Sequence, residues 1–96
     1  MVGGLKNVLV KSGSEREFET LFADLRTEMR KSEPGCVYYS LLKSRTKPRA
    51  YIVEEQYRDV AALEAHQSSA HGKIYFAKIR AILESITVEY FDVIVP

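Results

Sequence analysis

Between residues 54 and 71 the chain reads Glu-Glu-Gln-Tyr-Arg-Asp-Val-Ala-Ala-Leu-Glu-Ala-His-Gln-Ser-Ser-Ala-His, so carboxylates, a phenol and both of the protein's histidines share one short stretch. Imidazole changes charge near neutral pH, and a carboxylate beside it raises its pKa and orients its ring. Glu55 and His66 are the expected pair, one near the end of a strand and the other on the helix entered from that strand. Such a pair suits a general base or proton shuttle, with Tyr57 as a third proton-handling group. The same residues also admit a purely structural hydrogen-bonded pair, or a Glu55 that bonds free N–H groups at a helix start. His71 falls in the first turn of the following helix, either exposed or closing a pocket. A metal site is not expected, because no two of these groups stand at i, i+4 on one helix. The single cysteine, Cys36, excludes a disulfide framework within the chain and a cysteine-based zinc cluster. It reads as a small core residue.

The elements that must position these groups are legible as patterns. Residues 5–11 are rich in branched apolar side chains and read as a first strand. Ser14 and Glu17 match a capping box. Phe18, Leu21, Phe22, Leu25 and Met29 follow at spacings of three and four, which predicts a helix over about 15–31 with one apolar stripe. Glu33-Pro34-Gly35 stops it. Residues 36–43 and 50–58 alternate with a period of two; in the second of these Tyr51, Val53, Glu55 and Tyr57 share a face. Asp59 predicts the cap of a short helix over about 60–67, on which Leu63 and His66 share a face. A break near Ser68-Ser69 precedes a longer helix over about 70–84 with Tyr75, Ile79, Ile82 and Leu83 inward, and residues 86–95 are a strongly β-prone last strand. The order β-α-β-β-α(α)-β predicts an α+β, ferredoxin-like fold with a four-stranded antiparallel sheet and helices on one face.

Length and composition narrow the function classes. The 96 residues make one domain, 1–96, with an apolar fraction of 46% and a net charge of +1 from 14 basic and 13 acidic residues. That balance gives no electrostatic reason to expect nucleic acid or an anionic membrane as partner. No apolar run reaches the roughly 18–20 residues that span a bilayer, and the N-terminus lacks the pattern of a signal peptide, so a cytoplasmic location is expected. With helices on one face only, Tyr38, Leu42, Ile52 and part of the last strand would form an exposed apolar patch, which predicts a homodimer packed through its sheet faces.

Three motifs carry a family resemblance. Pro34-Gly35-Cys36-Val37-Tyr38-Tyr39, Glu55-Gln56-Tyr57, and Asp59…Ala62…His66…Ser69-Ala70-His71 resemble, in order and spacing, the signatures of the antibiotic biosynthesis monooxygenase (ABM) domain family. The resemblance implies a dimeric α+β barrel. Family activities include cofactor-free oxygenation of quinols, anthrones and related aromatics, heme degradation, and isomerisation of a phosphorylated sugar. Heme-degrading members carry a tryptophan on the short helix and a histidine one turn into the next. Here His66 holds the first position, the protein has no tryptophan, and the second region reads Lys73-Ile74-Tyr75-Phe76, which argues against heme. The resemblance therefore implies a monooxygenase without cofactor, acting on a small aromatic molecule. His66, Glu55 and Tyr57 are its expected proton-handling groups. Asn7, Tyr39, Tyr51 and His71 are the expected substrate contacts, although such tyrosines serve equally as core or interface aromatics. Two alternatives stay open. One is an isomerase using the same groups, with the basic loop Lys43, Arg45, Lys47 and Arg49 reading an anionic substrate; the other is a non-catalytic small-molecule-binding dimer.

Overall fold

The computed structural model describes residues 1–96. Four strands, β1 (Val2–Val10), β2 (Cys36–Lys43), β3 (Ala50–Tyr57) and β4 (Leu83–Asp92), form one antiparallel sheet in the order β2-β3-β1-β4. Helices α1 (Glu15–Ser32), α2 (Val60–Gln67) and α3 (Ala70–Ala81) lie on one face of it. This is the ferredoxin-like α+β arrangement expected from the element order.

The core forms where the period of 3.6 meets the period of two. Phe18, Phe22, Leu25 and Met29 of α1 are buried against Val8 and Val10 of β1, Tyr39 of β2 and Tyr51 and Val53 of β3. Phe22 stacks on Tyr39 at 5.0 Å between ring centres, and Phe18 meets Tyr51 at 4.8 Å. β3 alternates without interruption, so Tyr51, Val53, Glu55 and Tyr57 all point inward and are buried.

Three local expectations are corrected. The capping box is not formed: the Ser14 side chain caps nothing, and Glu15 rather than Glu17 accepts a loop hydrogen bond, from the Gly13 N–H. Gly13 turns the chain there with φ 84°, a conformation that costs glycine little. In β2 a register shift between Cys36 and Tyr38 leaves Val37 half exposed and sets Cys36 against the core. The last helix ends at Ala81, not at 84, and Leu83 already pairs with Val10. Helix thus passes almost directly into strand, with the Ile82 carbonyl accepting the Lys11 N–H at 2.8 Å. Tyr38, Leu42 and Phe91 remain 40%, 43% and 47% exposed on the helix-free side.

Candidate active site

Two turns bring the titratable groups together. α1 ends at its C-cap Glu33, and Gly35 follows, where an added Cβ would lie 2.5 Å from the Ala62 Cβ of α2. Only glycine lets the α1–β2 turn approach α2 this closely. The Gly35 carbonyl also accepts the Arg58 N–H at 2.9 Å, tying the end of β3 to the same turn. α2 is capped as expected, the Asp59 carboxylate accepting the Ala62 N–H at 2.8 Å. At its other end the Ser69 hydroxyl donates to the His66 carbonyl at 2.8 Å and accepts the Gly72 N–H at 3.0 Å, fixing the corner between α2 and α3.

The result differs from the expected pairing. The carboxylate bonded to His66 is Glu33, with Oε1 2.8 Å from Nδ1, and not Glu55. The other Glu33 oxygen bonds His71 Nε2, so one buried carboxylate bridges both histidines. His66 is itself fully buried, its ring among those of Tyr39, Tyr57 and Phe76 at 5.1–5.4 Å between centres. Its second nitrogen, Nε2, has no partner within the chain. Glu55 takes a different set of contacts: Oε2 accepts the Tyr57 hydroxyl at 3.1 Å and lies 3.6 Å from the Lys6 ammonium.

His66 lines a cavity of about 240 Å³ between sheet and helices. Its walls are mostly apolar, from Phe22, Tyr39, Phe76, Val88 and Tyr90 among others, and Lys6 and Arg80 bring two cationic side chains to them. Nδ1 is turned to Glu33, which lies outside this cavity, and Nε2, itself buried, is the ring nitrogen left without a partner.

The remaining expected site residues divide. Tyr39 lines the cavity. Tyr57 packs against the His66 ring but donates its hydroxyl to Glu55, so it supports the site from behind. Tyr51 is buried further along the sheet with its hydroxyl on Glu19 at 2.6 Å, outside the lining of this cavity. Asn7 is exposed on the opposite sheet face, because Lys6 and Val8 hold the inward positions of β1; its placement as a substrate contact is corrected. His71 lies across Glu33 from the cavity, in an outer cleft with Arg58 and Asp59. Lys43 and Lys47 of the basic loop border the shallow depression that contains Asn7, and Arg49 donates to the Val10 carbonyl and pairs with Glu84. Glu33 and Lys6 are the site groups that the sequence patterns did not single out. Both carry a visible signal: an acid at the negative end of a helix dipole, and a lysine in register with inward-facing valines.

Burial sets the protonation states. The His66 pKa is lowered from its ordinary value, chiefly by burial, against the opposing pull of Glu33 and then Glu55. Neutral imidazole is thereby favoured at pH 7, which leaves Nε2 with a lone pair. The Tyr39 and Tyr57 phenols are pushed far upward, first by burial and then by Glu55, so both act as donors and never as bases. A histidine with a depressed folded-state pKa binds fewer protons folded than unfolded below about pH 6.5. Stability contributed by neutral His66 is therefore complete above that pH and is lost as the pH falls through it. Urea denaturation at pH 7.5 and 5.5 should give a lower midpoint at the acidic value, and a His66→Phe variant should lose less across the same interval.

Fold and cavity together define a small ferredoxin-like protein with one buried imidazole among the residues that line a mostly apolar cavity. The chain matches the family model for antibiotic biosynthesis monooxygenase over residues 1–78 and belongs to that family. Among solved structures it is similar to a candidate antibiotic biosynthesis monooxygenase from Caulobacter crescentus, at 30% identity and a TM-score of 0.92, covering 97% of this chain and 89% of that one. It is also similar to protein SO0527 of Shewanella oneidensis, at 28% identity and 0.85, covering 94% and 87%. Likeness to Rv0793 of Mycobacterium tuberculosis, at 23% identity and 0.88 over 99% and 96% of the two chains, speaks to the fold alone. A curated relative, the uncharacterized protein sll1783 of Synechocystis, is 35% identical over 60 residues, which are 62% of this chain and 40% of that protein's length. No helix is long and apolar enough to cross a membrane.

Proposed function

We propose that this protein is a cofactor-independent monooxygenase that oxidises a quinol-like or polyketide-like aromatic molecule with O2. The observation that carries this reading is the unpartnered, buried Nε2 of His66 in an aromatic cavity, its ring held by Glu33. A bound phenol or enol gives its proton to Nε2, and the electron-rich anion passes one electron to O2. The resulting radical and superoxide combine at carbon as a hydroperoxide. Where that carbon carries a hydrogen, loss of water leaves a carbonyl, so one oxygen atom enters product and the other leaves as water. The protein's part is a dry space, a base and donors for the developing oxyanion. The Lys6 ammonium and the Tyr39 hydroxyl serve as those donors. The His66 cavity has no lining residue from the basic loop, so an isomerase reading an anionic group through that loop finds no support in its placement.

Oxygen uptake in a closed cell with a quinol panel tests this reading. One O2 consumed per product, with labelled oxygen appearing in the new carbonyl, is the expected result. Proton exchange into a substrate without oxygen uptake would replace it by an isomerase, and ligand-induced thermal stabilisation without turnover would replace it by a binding protein.

The assembly proposed with it is a homodimer through the helix-free sheet face, where Tyr38, Leu42 and Phe91 are uncovered. Light scattering at micromolar concentration should give twice the chain mass of 10.9 kDa. Leu42→Asp should return the monomer. A wild-type monomer under the same conditions contradicts the proposed assembly.

A further inference from the structure

Glu33 is shared, and that has a consequence for proton release. His66 Nδ1 meets one of its oxygens, His71 Nε2 meets the other, and the remaining His71 nitrogen, Nδ1, lies 3.4 Å from the Ser32 hydroxyl at the outer surface. His66 is 2% and Glu33 6% exposed at the side chain, against 16% for His71. His66 Nε2 is buried and unpartnered, while its Nδ1 is connected through Glu33 to the outer ring, a hydrogen-bonded route from the buried imidazole toward the surface. We propose that His71 is the outlet for the proton collected by His66, with Glu33 the one counter-charge that the two imidazoles share.

One carboxylate balances one positive charge, and a second charge on the other ring would stand largely unpaired in a desolvated pocket. The exchange requires the shared proton to sit on the outer ring before turnover, since burial disfavours charge on His66. When the substrate O–H breaks and the His66 Nε2–H forms, the His71 Nδ1–H breaks and its proton passes to water. The charge of the triad is unchanged, and the reverse exchange resets it. The charged or titratable groups around His66 are Glu33 from the α1–β2 turn, Tyr39 from β2, Glu55 and Tyr57 from β3 and Lys6 from β1, with Arg80 of α3 and Tyr90 of β4 lining the same cavity. Those sharing the His71 cleft are Glu33, Cys36, Arg58 and Asp59. Arg58 keeps its charge throughout, and neither Cys36 nor Asp59 touches both rings as Glu33 does, so the exchange is confined to the bridged pair.

This rests on the monooxygenase reading for its substrate but is tested on the ligand-free protein. Imidazole 15N NMR titration of His66 is followed in wild type, His71→Gln and His71→Lys. Glutamine keeps a donor to Glu33 but has no proton to release, so the His66 midpoint should rise by roughly one pH unit. Lysine holds its charge permanently, so the midpoint should fall by a similar amount. In turnover, the acidic limb of the kcat/KM profile should move with the midpoint, up in the first variant and down in the second. A purely structural, neutral His71 predicts no movement in His71→Gln, and an unmoved midpoint in that variant overturns the proposal. Shifted midpoints in a protein that consumes no O2 with any quinol support the coupling while removing the monooxygenase reading.

Discussion

Glu33→Gln should reduce kcat by on the order of 10²–10⁴ with the fold intact, the range seen when a buried acid that orients a catalytic histidine is neutralised. The two side chains have the same shape, so packing at the α1–β2 turn is preserved. Chemistry is not. If the amide nitrogen turns to His66, it donates to Nδ1, forces the ring proton onto Nε2 and leaves no lone pair for substrate. If the amide oxygen turns there instead, the tautomer survives but the negative charge that stabilises the developing imidazolium is gone. Initial rates by oxygen electrode, with circular dichroism to verify folding, check the outcome. A variant with the wild-type rate would make the Glu33–His66 contact structural.

His66→Ala should abolish O2-dependent turnover, a loss of at least about 10²–10⁴ from the missing base. The truncation also leaves a hole among Tyr39, Tyr57 and Phe76 and takes from Glu33 one of its two partners. Losing a buried hydrogen-bond partner costs about 1–3 kcal/mol, so this variant should melt earlier as well. His66→Phe separates the two effects: it refills the hole but supplies no base. Recovery of thermal stability without recovery of rate is the expected pattern. Phenylalanine with the wild-type rate would remove His66 from the chemistry.

Much of the architecture is legible in the sequence because periodicity reports burial directly. The α1 stripe Phe18, Phe22, Leu25 and Met29 is buried, and β3 alternates inward at Tyr51, Val53, Glu55 and Tyr57 as its pattern demands. Asp59 caps α2, and His66 faces the interior. What escapes is whatever depends on tertiary approach. Glu33 reads locally as the residue before a Pro-Gly helix stop; its role arises only because Gly35 lets the turn close on Ala62 and so on α2. Glu55, the acid nearer to His66 in sequence, is claimed instead by Tyr57 and Lys6. Asn7 fails by a single residue of register, since a one-residue step moves a strand side chain to the other face of the sheet. The α3–β4 boundary fails because Ile82 and Leu83 suit a helix stripe and a strand equally, and pairing of Leu83 with Val10 decides for the strand.

Proton abstraction as proposed depends on a neutral His66 with its proton on Nδ1 and a lone pair on Nε2. The 15N chemical shifts of the His66 ring at pH 7 report this directly, without substrate. A pyrrole-type Nδ1 and a pyridine-type Nε2 are predicted; a protonated Nε2, whether in the opposite tautomer or in the imidazolium, would contradict the account.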